Sequence, residues 1–85
     1  MTQPLEFPTE FPIKVMGRRD SDLEVLTREI VERHSGPLAG EKVRVRTSGD
    51  GNFLALTYVV TAQSREQLDA IYRELSACKA VLMAL

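Results

Sequence analysis

The run Ser48-Gly49-Asp50-Gly51-Asn52 constrains this chain more than any other. Its two glycines are free to take positive φ, and β-type segments flank it on both sides. Before it, Val43, Val45 and Thr47 alternate with Lys42, Arg44 and Arg46. After it, residues 53–62 are long and rich in β-formers. The middle of the chain is therefore a β-hairpin. The turn is not a phosphate loop, because it lacks the Gly-Lys-Ser/Thr ending and joins two strands rather than a strand and a helix.

A helix is predicted on each side of this hairpin. Ser21-Asp22-Leu23-Glu24 has the form of a capping box: the serine hydroxyl accepts from the Glu24 amide, and the glutamate reaches back to the Ser21 amide. Leu23, Leu26, Ile30 and Val31 follow at helical spacing, and Gly36-Pro37 is a stop, giving a helix over 22–34. Ser64-Arg65-Glu66-Gln67 is a second capping box. Leu68, Ile71, Tyr72 and Leu75 form its stripe over 65–77. Two more strands lie outside the helices, over 11–16, ended by Gly17, and over 80–85. Residues 1–10, with Pro4 and Pro8, read as an extended arm that Leu5 and Phe7 can pin to a single domain over 11–85.

The order β-α-β-β-α-β is that of a ferredoxin-like α+β sandwich. It has a four-stranded antiparallel sheet with two helices on one face. The first and third strands are central, and the second and fourth are edges. The two-residue strand period then sorts side chains. Ile13, Val15, Val43, Val45, Leu54, Leu56, Tyr58 and Val60 turn toward the helices. Lys14, Met16, Arg44, Arg46, Phe53, Ala55, Thr57, Val59 and Thr61 turn to the open face. A slip of one residue would reverse any of these. Such a face, partly apolar and partly basic, is either a contact surface or a solvated face whose long cations cover apolar area.

Composition excludes several classes. The 85 residues form one domain near the low end for a self-sufficient core. A net charge of −1 and a pI near 5.8 give no overall basicity. Nucleic acid is therefore not an expected partner on charge alone. No stretch approaches the roughly 20 apolar residues of a membrane helix. The opening MTQPLEFP lacks the charged and apolar regions of a signal peptide. Cys78 is the single cysteine and cannot close an internal disulfide, which points to a reducing cytoplasm. With one histidine, His34, and no cysteine cluster, no metal or other cofactor is expected.

Several pieces of the chain carry a resemblance: Leu5-Glu6-Phe7-Pro8, Lys14-Val15-Met16-Gly17, Gly51-Asn52-Phe53, residues 68–75 with Tyr72 and Glu74, and the closing Val81-Leu82-Met83-Ala84-Leu85. Together they resemble the YbeD-like family of small bacterial proteins of unknown function. That family is ferredoxin-like and similar to the ACT regulatory domains of amino-acid biosynthetic enzymes. The resemblance implies a regulatory or ligand-sensing role with no catalytic residue to carry over. It also implies pairing through sheets or helices, and a small effector bound near the turn after the first strand, at Gly17 and Arg18. No full ACT effector motif is present.

The chemistry-bearing residues leave three classes. The Gly17-Arg18-Arg19 turn precedes a helix N-terminus, which attracts anions, but Asp20, Asp22 and Glu24 crowd the same end. His34 suits the last turn of its helix. Lys79 beside Cys78 can lower the thiol pKa slightly, but a half-buried structural thiol is the better reading. The first class is a non-enzymatic, ACT-like regulatory or interaction module. It would bind a small effector or a partner protein and can form a homodimer. Its expected surface is Lys14, Met16, Gly17, Arg18, Arg44, Arg46 and Phe53. The second is an RNA-binding module, although only Phe53 offers an outward aromatic and the usual motif is missing. The third is an acylphosphatase-like enzyme using Arg18 or Arg19 with Asn52, without its phosphate cradle.

Overall fold

The computed structural model describes residues 6–85. The elements are β1 (Thr9–Arg18), α1 (Leu23–Ser35), β2 (Val43–Ser48), β3 (Phe53–Ala62), α2 (Arg65–Ala77) and β4 (Val81–Ala84); a short 3-10 turn, Gly40–Lys42, leads into β2. The sheet is antiparallel with order β2-β3-β1-β4, which is the ferredoxin-like arrangement. Both helices lie on one face, packing on β1, β3 and β4.

The core is where the strand period places it. Ile13 and Val15 of β1, and Leu56, Tyr58, Val60 and Ala62 of β3, are buried against Leu23 and Val31 of α1 and Leu68, Ile71 and Leu75 of α2. Phe7 packs on the edge of this core, while Leu5 lies outside the described residues. The arm is shorter than expected, because Thr9 and Glu10 pair with Ala62 and Thr61 of β3.

Four local expectations are corrected. Gly17 does not end the first strand: it is buried in β1, opposite Leu54 and Val81, beside a register shift at Met16/Gly17. A Cβ at Gly17 would stand 2.4 Å from the Ala80 carbonyl oxygen and 2.7 Å from a Leu23 methyl. The glycine is a close-approach position rather than a turn. The first capping box does not form. The Ser21 hydroxyl turns back and donates to the Arg18 carbonyl at 2.6 Å, and Asp22 is an N-cap without a side-chain bond. The second box forms in part: Ser64 Oγ accepts from the Gln67 amide at 3.1 Å, but Gln67 Oε1 accepts from Gln63 rather than Ser64.

The third correction is the face of α1. Leu26 is 41% exposed and Thr27 is fully buried. The helix turns its Leu23, Thr27, Val31 line to the core because the Tyr58 hydroxyl sits there and needs a partner. Thr27 Oγ1 is 2.7 Å from that hydroxyl and bonds the Leu23 carbonyl at 2.7 Å. The fourth is Val45, expected inside but 49% exposed. It stands on an edge strand beyond the cover of the helices.

Candidate functional site

The hairpin and β1 fix the open face. The register sets Arg44, Thr57 and Lys14 in one row across β2, β3 and β1, and Arg46, Ala55 and Met16 in the next. The rows continue to β4. Met83 stands opposite Met16, and Leu85 exchanges backbone hydrogen bonds with Lys14 at 2.7 and 3.0 Å. Together with Pro12 and Val59 these residues line a shallow depression of ≈ 770 Å³. Met83 is 52% and Leu85 67% exposed, so this end of the face shows water a patch of large apolar side chains.

Lys14, Arg18, Arg44 and Arg46 have no carboxylate within 4 Å among the described residues. Glu10, on the same face of β1, is engaged with Lys42 at 3.2 Å. The helix layer is mixed: Arg65 and Arg73 of α2 likewise have no carboxylate within 4 Å among the described residues, whereas α1 carries ion pairs. Arg28 pairs with Glu32, and Arg33 with Glu29. Arg33 and His34 both donate to Glu74 across the two helices, which lowers the Glu74 pKa: the His34 hydrogen bond leads, with the Arg33 charge adding to it.

The expected surface residues divide into three places. Lys14, Met16, Arg44 and Arg46 meet in the sheet depression. Arg18 and Phe53 lie one row further along, in a separate hollow with Arg19, Asp20, Gly51 and Asn52. There the Arg19 amide donates to the Asn52 carbonyl at 2.9 Å, fastening the turn after β1 to the hairpin. Asp50 joins Gly49 and Gly51 at positive φ in this hairpin, and the Phe53 ring lies where a Cβ on Gly49 would fall. Gly17 reaches neither hollow. It is buried on the helix side, so it shapes the region without offering contact.

Met83, Leu85 and Pro12 were not among the expected surface residues. The signal for them was the register of the last strand, which four residues with a bulge do not specify. The Glu74 cluster was also unread, because His34 and Glu74 are 40 residues apart and meet only when the helices pack. Cys78 is half-buried at the end of α2, its amide donating to Leu75. No group of three or more metal-ligating side chains converges among the described residues.

These features define a ferredoxin-like domain with one covered sheet face and one open, cation-bearing face. Residues 2–85 match the family described as "Protein of unknown function (DUF493)", and the chain belongs to it. This is the YbeD-like family of small bacterial proteins met above, whose curated members are called UPF0250 proteins. The chain is 45% identical to the UPF0250 protein of Chromobacterium violaceum over 80 residues, covering 94% of this chain and 90% of that one. It is 49% identical to the Leptothrix cholodnii protein over 72 residues, covering 85% and 79%. The solution structure of HP0495 from H. pylori superposes with a TM-score of 0.78 at 15% identity, over 99% of this chain and 88% of that one. That likeness concerns the fold.

Proposed function

We propose that this protein is a non-enzymatic, ACT-like regulatory module whose open sheet face is its binding surface for a small effector or partner protein. One observation carries the reading: one depression of the open face gathers Lys14, Arg44 and Arg46, none with a carboxylate within 4 Å among the described residues, beside the apolar Met16, Met83 and Leu85. Lone cations and exposed methionines and leucines contribute little to stability, and an apolar patch rimmed by charge is better explained by what covers it. A reducing, cytoplasmic setting fits the lone thiol of Cys78. Among the described residues no helix is long and apolar enough to cross a membrane.

RNA binding on the same topology is less well supported. Phe53 is the one aromatic of β1 and β3 on this face, and it lies in the separate hollow. The test is an amide NMR titration of labelled protein with a small-molecule cell extract and then with the macromolecular fraction. Shifts at Lys14, Met16, Arg44, Arg46 and Ala55, absent in Lys14→Glu/Arg46→Glu, are expected. Shifts confined to α1 and α2 would overturn the reading.

A further inference from the structure

The open face is graded across the strands. In both central rows a cation stands on the β2 edge and a large apolar side chain on the β4 side: Arg44 to Leu85, and Arg46 to Met83. Between them β3 contributes only Ala55, Thr57 and Val59, small side chains that form a floor. Arg44 and Arg46 make one wall of this trough, and Lys14 and Met16 make the other. The walls stand on strands whose axes are about 9.5 Å apart, so an α-helix roughly 10 Å across rests along the trough with only its side chains reaching between the walls to the floor.

Charge decides between occupants. A second copy meeting this face about a two-fold across the strands would set Arg44 and Arg46 against their own equivalents, and one about a two-fold along the strands would set them over Met83 and Leu85; neither offers these cations an acidic side chain. RNA would find no aromatic in the trough on which to stack a base. We infer that the trough seats an acidic amphipathic helix of a partner protein, its apolar stripe on Ala55, Thr57, Val59 and Met16 and its carboxylates against Arg44, Arg46 and Lys14. This rests on the reading of the open face as a binding surface, and it specifies the occupant. Apolar burial would hold the helix, and the flanking charges would choose its orientation and reject basic segments.

The test is a displayed library of amphipathic 18-residue peptides whose flanking positions vary among Glu, Lys and Gln, panned on the full chain. Glu-rich flanks should be enriched. A selected peptide should shift the amides of Ala55, Thr57 and Met16 and bind more weakly as salt rises. Arg44→Glu/Arg46→Glu should weaken it about tenfold or more, with a Lys-flanked peptide then preferred. Both sites are exposed on the edge strand, so circular dichroism should be unchanged; Ala55→Arg, which fills the floor, gives an independent block. Equal enrichment of Lys or Gln flanks, no enrichment, a dimer abolished by Met83→Glu, or stronger shifts with a single-stranded RNA oligonucleotide would each overturn the inference. Shifts here from the small-molecule extract but not from any peptide would overturn it while leaving the regulatory reading standing. Silence toward extract, macromolecular fraction and peptides alike would end both.

Discussion

The two faces of the sheet solve opposite problems. The covered face is built for internal agreement. Its side chains pack against two helices, its buried polar pair, Thr27 and Tyr58, is satisfied, and ion pairs tie α1 within itself and to Glu74 of α2. The open face shows no such agreement: like charges stand together, and methionine and leucine meet water. Both faces come from the same strands, so the difference is not one of secondary structure. On the reading proposed for the open face, stability and binding are separated by side-chain parity. Substitutions on odd positions of β1 should therefore damage folding, and those on even positions should damage binding.

The largest effect is expected at Gly17. Gly17→Ala would drive a methyl into the Ala80 carbonyl and Leu23, at the point where β4 and the start of α1 meet β1. A backbone atom cannot yield as a side chain does, so urea denaturation should show a loss of about 3 kcal/mol. A loss below about 0.5 kcal/mol would mean that β4 is loosely attached, and the contrast between the faces would weaken. Next comes Thr27→Val. It conserves shape but leaves the Tyr58 hydroxyl with only the Glu24 carbonyl at 3.4 Å, and should cost about 2 kcal/mol. Burial raises the Tyr58 pKa, so the folded state retains this proton at a pH where the unfolded chain has released it. Stability should therefore fall as pH rises above the ordinary tyrosine value of 10. Tyr58→Phe should lessen that fall.

The alternating patterns at 43–48 and 53–62 and the stripe at 65–77 made the sheet order and α2 legible in advance, because each obeys a single period. What escaped the sequence depended on tertiary partners. Leu26 outranks Thr27 in hydrophobicity, yet the inward Tyr58 hydroxyl selects threonine for the core. Ser21 fits a capping box, but the carbonyl at the end of β1 is nearer to hand. For the site, the parity of Lys14, Met16, Arg44 and Arg46 sufficed to place them together. Gly17 was misread as a contact because a glycine after a strand suggests a turn equally well.

A smaller effect is expected at the helix clasp. The lowered pKa of Glu74 means that its carboxylate favours the folded state above the ordinary glutamate value, and that this contribution is lost as pH falls through the folded one. Glu74→Gln should remove that acid sensitivity while changing the melting temperature only slightly at neutral pH. A thermal melt of both proteins at pH 7 and pH 3 measures it; identical pH profiles would show that the clasp is ornamental.

The smallest effect on stability is expected on the open face, and it is the most informative. Lys14 is a central-strand residue, so a packing role would make Lys14→Glu costly. If instead the face is kept for a partner, Lys14→Glu relieves crowding among Lys14, Arg44 and Arg46. Arg44 is two strands away in the same row, within a Debye length at low salt. Stability should then hold or rise slightly, by no more than about 0.5 kcal/mol, and the gain should shrink in high salt. A protein that becomes no less stable while losing its binding shows that the cation was retained at the expense of the fold. A clear loss of stability would instead place Lys14 among the structural residues and erase the distinction between the two faces.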